Sequence, residues 1–112
     1  MILSYVSVAS SGGEYYQVSF SDKLDSDDSY FLIQRQFETD DGGLFYVESH
    51  ELTLCGHFRI AKAELGRDLL RLQIMSQPAK MVQIRFRADR TDYIRLKRVL
   101  TIMMPAGALS FE

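Results

Sequence analysis

Apolar and polar residues alternate along most of the chain, and this pattern predicts β-strands. Residues 14–20 place Tyr16, Val18 and Phe20 on one side, with more polar neighbours on the other, as in a strand that is buried on one face. Residues 2–8 are also rich in β-branched and aromatic residues, and a Ser-Ser-Gly-Gly turn separates the two runs. The chain is therefore predicted to open with a hairpin.

The same alternation predicts five further strands, of which the first two form a second hairpin around an Asp-Asp-Gly-Gly turn. These strands are Tyr30–Phe37, Leu44–Glu48, His57–Leu65, Leu70–Ile74 and Val82–Phe86. The third of them also fits a short helix, and a strand is the favoured interpretation. The polar, acidic stretch from Ser21 to Ser29 is predicted to be a solvated loop.

One helix is predicted near the end of the chain, from about Thr91 to Met104. Asp89 or Thr91 can cap its first turn, while Pro105 and Gly107 can end it. Its apolar arc is predicted to pack on the sheet and consists of Tyr93, Leu96, Val99, Leu100, Met103 and Met104. Ile94 and Ile102 lie off this arc, so they either meet another core element or form an exposed contact surface.

These elements predict a single α+β domain over residues 1–112, since a chain of this length usually builds one core. Its architecture is expected to be an antiparallel, strongly curved sheet of six or seven strands, with one C-terminal helix packed on it. One helix covers only part of such a sheet. The sheet must therefore curl, pack on itself, or bury its second face against a partner.

Composition and charge favour a globular cytoplasmic protein with uneven charge along the chain. Hydrophobic residues make up 46% and charged residues 25%, no run reaches the roughly 20 apolar residues of a membrane span, and the only cysteine is Cys55. Residues 1–56 hold ten acids and two bases, a net charge of −8, whereas residues 57–112 hold five acids and eleven bases, a net charge of +6. Either a charged partner or an even solvated surface is consistent with this asymmetry.

The residues that could carry chemistry are few. His50, Cys55 and His57 are too few and too closely spaced for a standard zinc site. Cys55 and His57 are two residues apart, so a strand would place a thiol and a potential base on one face, although a small, buried and inert thiol beside a surface imidazole is the favoured interpretation. We therefore predict no catalytic residue, no metal site and no cofactor, and that the protein is not an enzyme.

The second half of the chain contains one basic concentration, which raises the alternative of nucleic-acid binding. It consists of Arg85, Arg87, Arg90, Arg95, Lys97 and Arg98. A pI of about 5.7 and an acidic first half would repel phosphate unless the charges are segregated in space. Direct nucleic-acid binding is therefore not expected, and neither is membrane binding.

Several short stretches together resemble the immunity protein 10 family of bacterial polymorphic toxin systems, over roughly residues 30–104. The stretches that carry the resemblance are Tyr30-Phe31-Leu32-Ile33-Gln34-Arg35, Tyr46-Val47-Glu48, Cys55-Gly56-His57-Phe58, Ala63-Glu64-Leu65-Gly66-Arg67-Asp68-Leu69-Leu70-Arg71-Leu72 and Ile84-Arg85-Phe86. A C-terminal helix follows in that family, as predicted here from about Thr91. The Cys-Gly-His segment departs from the paired glycines that the family often carries.

The resemblance implies a non-catalytic immunity protein that binds and occludes a cognate toxin domain in the producing bacterial cell. If that toxin is a nuclease, its substrate groove should be basic, and an acidic patch could occupy it. The predicted partner-binding residues are Asp25, Asp27, Asp28, Glu38, Asp40 and Asp41. Simple solvation of two loops is the alternative explanation for these acids.

Two other functions remain open, as does a homodimer. A small ligand-binding or regulatory α+β module would contain an enclosed apolar cavity. An enzyme that uses Cys55 and His57 would have a reactive thiol with a depressed pKa. In the turn that resembles the family, Glu64 is predicted to pair with Arg67.

Overall fold

The computed structural model describes residues 2–11, 15–22, 29–36 and 43–111. The described part of the chain contains nine strands, one α-helix and one short 3-10 helix at Leu52–Leu54. The strands are β1 (Tyr5–Ser11), β2 (Tyr15–Ser21), β3 (Tyr30–Gln36), β4 (Phe45–Ser49), β5 (Gly56–Phe58), β6 (Ile60–Leu65), β7 (Leu69–Ile74), β8 (Lys80–Arg85) and β9 (Leu109–Phe111). The helix α1 spans Arg90–Met103.

The first sheet has five strands in the order β1-β2-β3-β4-β5, and every neighbouring pair is antiparallel. Both predicted hairpins are confirmed. The first strand begins at Tyr5, later than predicted, because residues 2–4 run parallel beside the end of β8 instead. There the amide of Leu3 donates to the carbonyl oxygen of Arg85 at 2.8 Å.

The second sheet has four strands in the order β8-β7-β6-β9. β6, β7 and β8 form an antiparallel meander, whereas β9 pairs with β6 in parallel. A register shift lies between Ile60 and Lys62 in β6, as at a β-bulge. Bulges bend a strand and increase its twist, so this shift lies where the chain leaves one sheet for the other.

The prediction of one strongly curved sheet with six or seven strands is corrected by these two sheets with nine strands. The predicted strand His57–Leu65 exists, but Arg59 divides it into β5 of the first sheet and β6 of the second. The short strand β9 was not predicted. The prediction of an antiparallel α+β fold with one C-terminal helix is confirmed.

The two sheets bury one face each in a shared core. Of the three predicted outcomes for the second face of the sheet, packing of β-structure on itself is therefore the one observed. The first sheet contributes Val18, Phe20, Phe31, Ile33, Phe45 and Val47 to this core. The second contributes Ile60, Ala63, Leu65, Leu70, Leu72, Ile74, Val82 and Ile84. The strands alternate between buried and more exposed residues, so the other face of each sheet is directed outward.

Helix α1 packs its apolar arc against the core and contacts β1 and β2. Its buried residues include Leu96, Leu100 and Met103. Asp89 caps the helix, because its Oδ1 accepts a hydrogen bond from the amide of Asp92 at 2.8 Å. The predicted helix is confirmed with a shift of one residue at each end.

Ile94 and Ile102 are exposed on the outer side of α1, with 53% and 42% of their surfaces accessible. Of the two alternatives for this pair, the structure therefore shows the exposed one. No helix in the described ranges is both long and apolar enough to cross a membrane.

The guanidinium of Arg35 joins the first sheet to the C-terminal end of α1. Its Nη1 donates a hydrogen bond to the carbonyl oxygen of Met103, and its Cζ lies 5.3 Å from the centre of the Phe45 ring. The last carbonyls of a helix lack partners within the helix and carry partial negative charge. Arg35 therefore gives one of these carbonyls a cationic partner and joins the end of α1 to β3.

Candidate functional site

The outward face of the first sheet is rich in tyrosine and almost free of charge. We call it the tyrosine face, and its larger members are Tyr5, Tyr15, Gln17, Tyr30, Leu32, Gln34, Gln36, Tyr46, Glu48 and His57. Four of the six tyrosines of the chain lie on it. Glu48 is the one carboxylate among the described strand residues of this face.

Strand register places the central residues of the tyrosine face in a row across all five strands. Ala9 lies opposite Gln17, Gln17 opposite Gln34, Gln34 opposite Tyr46, and Tyr46 opposite His57. Such cross-strand neighbours have Cβ atoms about 4.5–5.5 Å apart, so their side chains form a continuous surface.

Hydrogen bonds order the glutamine side chains in the middle of this row. The Tyr15 hydroxyl lies 2.5 Å from Oε1 of Gln17 and 3.2 Å from Oε1 of Gln34. One phenol therefore ties together residues of two adjacent strands. A face ordered in this way loses less side-chain entropy when it binds a partner.

Tyr46 comes next to last in the row, between the Glu48 carboxylate and the His57 imidazole. Its hydroxyl donates to Oε1 of Glu48 at 2.6 Å, and its ring centre lies 5.4 Å from that of His57. The hydrogen bond to the Glu48 carboxylate, aided by burial and by the negative charge of Glu48, raises the pKa of Tyr46 above its usual value of 10.0. Tyr46 is therefore a neutral donor at physiological pH.

A hollow of about 310 Å³ opens beside Tyr46 on the tyrosine face. Gln34, Gln36, Leu44, Tyr46 and His57 line it, so three adjacent strands and the residue before β4 contribute. Its volume is at the lower end of the roughly 300–1,000 Å³ of small-molecule sites. The enclosed apolar cavity expected of a ligand-binding module is a different feature, since amides, a phenol and an imidazole line this hollow.

His50 extends the aromatic surface at the opposite end of β3. Its Nδ1 lies 3.0 Å from the amide nitrogen of Tyr30, and the two ring centres are 6.4 Å apart. Both histidines of the chain thus pack beside tyrosines of the same face.

Cys55 and His57 have different partners. The Cys55 thiol is exposed and donates to the carbonyl oxygen of Ser49 at 3.4 Å, whereas the His57 ring packs on Tyr46. The favoured interpretation of Cys55 as a buried thiol is therefore wrong, because the residue follows the 3-10 helix at the surface. Within the described ranges, no group of three or more His, Cys, Asp and Glu side chains could hold a metal ion.

The six acids predicted to bind the partner lie outside the described residues. They are Asp25, Asp27, Asp28, Glu38, Asp40 and Asp41. In sequence, the first three join β2 to β3 and the last three join β3 to β4, so both segments connect strands of the first sheet. Gln36 and Leu44, which line the hollow, stand just before and just after the second segment.

The basic concentration lies at the other end of the chain, on and around α1. Arg90, Arg95, Lys97 and Arg98 are exposed on the helix, and Arg85 and Arg87 are exposed at the end of β8 and beyond it.

The turn that carries part of the family resemblance is held by contacts other than the predicted one. Glu64 pairs with Arg71 across β6 and β7, with a distance of 3.6 Å between Nη1 and Oε2, so the predicted pair with Arg67 is wrong. The Arg67 guanidinium lies 4.8 Å above the Tyr93 ring centre instead. The first contact joins β6 to β7, and the second anchors the turn between them to α1.

No family model, curated protein or solved structure matches the chain. The resemblance to immunity proteins therefore stays a prediction.

Reasoning from the sequence missed the tyrosine face as a site. The alternation of Tyr15 and Gln17 with buried Val18 placed both residues outward, but their neighbours depend on strand order and register. The available signal was the concentration of tyrosine, glutamine and histidine at the polar positions of successive strands. Charge in the loops was the stronger feature of the sequence and drew the prediction there.

Proposed function

We propose that this chain is a non-catalytic immunity protein that neutralises a cognate bacterial toxin domain by covering its active site. The tyrosine face, with the two acidic segments that connect its strands, forms the contact surface. The resemblance in sequence motivates the class of function, and the composition of the face is the observation that supports it.

The tyrosine face has the composition of a protein-protein contact surface. The core of such an interface is enriched in aromatic residues and depleted of charged ones, and tyrosine is prominent among the residues that dominate binding energy. Across β1 to β5, the described outward positions hold four tyrosines and one carboxylate. Four of these strands also present glutamine, serine or histidine, which adapt their hydrogen bonds to a partner.

The acidic segments would complement a basic toxin. Residues 23–28 and 37–42 together hold six acids and one base, so both segments carry net negative charge. Opposite charge at the rim of an interface accelerates association and selects the partner. A toxin whose substrate is a nucleic acid would present the matching basic groove.

The test is co-expression with the product of the adjacent upstream gene, scored by host survival and by elution from a sizing column. The expected result is rescue with a one-to-one complex. Gln34→Arg, which places a long cation at the centre of the tyrosine face, should abolish both. Gln83→Arg makes the same exchange on the exposed side of β8 in the second sheet and should retain them.

Charge reversal at Asp27, Asp28, Asp40 and Asp41 tests the acidic segments separately and should slow association. If the wild-type chain gives neither rescue nor a complex, the proposed function is contradicted. If Gln34→Arg rescues as well as the wild type, the toxin binds elsewhere on the molecule.

A further inference from the structure

We propose that a second hollow, at the edge of the shared core, binds the carboxylate of a small ligand with an apolar body. We call it the arginine-lined hollow, and its volume of about 430 Å³ lies within the roughly 300–1,000 Å³ of small-molecule sites. The residues that define it here are Arg35, Arg59, Ile60, Met75, Pro105 and Ala108. None of them belongs to the tyrosine face, so the inference is independent of the proposed function.

The charge of the arginine-lined hollow favours an anion. Arg35 of β3 and Arg59, which links β5 to β6, both line it, and none of the described residues that line it is acidic. An oxyanion from outside would therefore meet two guanidinium groups. Hydrogen bonds between a guanidinium and a carboxylate are short and strong, because both partners are charged and their planar geometries match.

Arg59 is the cation that is available to a ligand. Its side chain is exposed, and no described carboxylate lies within ion-pair distance of it. Its main chain is fixed, because its carbonyl oxygen accepts a hydrogen bond from the amide of Met75 at 2.9 Å. A β-carbon on Gly43 would lie 3.6 Å from Nη1 of Arg59, so the guanidinium lies close to a backbone segment that also lines the hollow.

Arg35 supplies a second positive charge, part of which is already used inside the protein. Its Nη1 donates to the carbonyl oxygen of Met103, where the end of α1 carries partial negative charge. The hollow therefore presents less than two full positive charges. A carboxylate with one negative charge suits this balance better than a phosphate monoester, which carries about 1.5 to 2.

The remaining walls predict the apolar body of the ligand. Ile60 belongs to the shared core, and Met75 is 47% exposed although it is apolar. Apart from these two residues and the arginines, the lining consists of alanine, glycine and proline. A short hydrocarbon chain would remove this apolar surface from water, and the flexible Met75 side chain can adapt to its shape.

The connection from α1 to β9 forms a fixed wall of the hollow. The amide of Ala108 donates to the carbonyl oxygen of Pro105 at 3.0 Å, and the carbonyl oxygen of Ala108 accepts from the amide of Ala63 in β6 at 2.9 Å. Gly107 adopts a φ of 80°, a left-handed conformation that glycine permits. A wall held in this way needs little reorganisation when a ligand binds.

The first measurement titrates hexanoate into the full chain and follows the methyl resonances of Ile60, Met75 and Ala108 by NMR. Hexanamide is the neutral matched ligand, and hexyl phosphate carries the alternative oxyanion. Saturable shifts with hexanoate, and binding at least about tenfold weaker with hexanamide, are the expected result. Equal binding of hexanamide, tighter binding of hexyl phosphate, or no saturation with hexanoate would each overturn the inference.

The second measurement removes the available cation. Arg59→Gln should raise the Kd for hexanoate by roughly tenfold or more, because a hydrogen bond between charged groups is lost. Arg98→Gln is the matched control: it makes the same exchange at an exposed position on α1, outside the hollow, and should change the Kd less than about threefold. Hexanoate that binds Arg59→Gln as tightly as the wild type contradicts the proposed site.

The third measurement tests the apolar wall. Met75→Ala should weaken binding of hexanoate more than binding of acetate, because acetate has the carboxylate without the hydrocarbon chain. Met81→Ala is the control, since Met81 is also exposed but does not line this hollow. Equal effects of Met75→Ala on both ligands would show that the hydrocarbon chain lies elsewhere.

A carboxylate of the chain itself is the competing occupant. Asp40 and Asp41 precede Gly43 in sequence. In the double variant Asp40→Asn, Asp41→Asn, the Kd for hexanoate should stay within about threefold of the wild type, because charges that do not contact the ligand are screened by salt. Binding that occurs only in this double variant would mean that the chain fills its own hollow, and the inference would fail.

Discussion

At the scale of single residues, Tyr46 shows how a surface phenol can be held in one state. Its hydroxyl is 2.6 Å from a Glu48 carboxylate oxygen, and removal of the phenolic proton would place two negative charges side by side. Because the folded protein favours the neutral phenol, the pKa lies above 10.0.

The titration of Tyr46 gives a direct prediction. Glu48→Ala should lower the pKa of Tyr46 toward its usual value, because both the hydrogen bond and the negative charge are lost. Tyrosinate absorbance against pH measures it, with Tyr46→Phe to identify the signal and Glu51→Ala as the control. An unchanged Tyr46 titration in Glu48→Ala would contradict the contact.

The sign of the effect on stability follows from the same shift. A phenol whose pKa is raised by folding stabilises the folded state below pH 10, where it is protonated in both states. This stabilisation is lost as the pH rises through the folded-state pKa. Wild-type stability should therefore fall more steeply above pH 10 than that of Tyr46→Phe.

At the scale of elements, the helix is attached to the first sheet by a single charged side chain as well as by its apolar arc. Arg35 follows Gln34 in β3, so adjacent residues point to opposite faces. Gln34 belongs to the tyrosine face, whereas Arg35 reaches the Met103 carbonyl at the end of α1. In the Gln-Arg pair that contributes to the family resemblance, one residue thus lies on the proposed contact surface and the other supports the fold.

Removing this attachment should destabilise the fold. Arg35→Met keeps most of the apolar stem but removes the hydrogen bond to Met103, which should lower the free energy of unfolding by about 1.5–3 kcal/mol. Urea denaturation measures the loss. Arg98→Met, at an exposed position on α1, should stay within about 0.5 kcal/mol of the wild type. Equal losses in both variants would show that Arg35 is not an attachment.

The elements differ in how far the sequence could predict them. The helix was predicted because Asp89, a regular apolar arc and Pro105 agree locally. Strand β9 was missed because Leu109–Phe111 is short and gains its pairing from β6, far away in sequence. The division at Arg59 depends on a bulge and on two separate sets of partners, and neither is encoded by the alternation of residues 57–65 alone.

At the scale of the whole molecule, the two sheets are connected at both sides. Arg59 links β5 to β6 on one side, and residues 2–4 lie beside the end of β8 before β1 begins on the other. The core between the sheets is contiguous, and α1 adds Leu96, Leu100 and Met103 to it. The strands that carry the tyrosine face therefore bury their other side in this core. Such packing favours binding of a partner without a change in backbone shape.

A shared core predicts one cooperative unfolding transition, as expected of a single domain of this size. Ile84→Val lies in β8 of the second sheet and should lower stability by about 0.5–1.5 kcal/mol. Near-ultraviolet circular dichroism follows the tyrosines, most of which lie on the first sheet, and the far-ultraviolet signal follows the backbone of both sheets and α1. Both midpoints should fall together in Ile84→Val, although Ile84 lies in the second sheet and the tyrosines lie mostly on the first.

Met81→Ala controls for any change in β8, because Met81 is 60% exposed on the same strand and should alter stability by less than about 0.5 kcal/mol. If the tyrosine signal keeps its midpoint in Ile84→Val while the far-ultraviolet signal shifts, the sheets unfold separately. The tyrosine face would then rest on the first sheet alone, and a partner would have to stabilise that sheet on binding. Coincident midpoints instead mean that a partner bound at the tyrosine face would stabilise both sheets and the helix together.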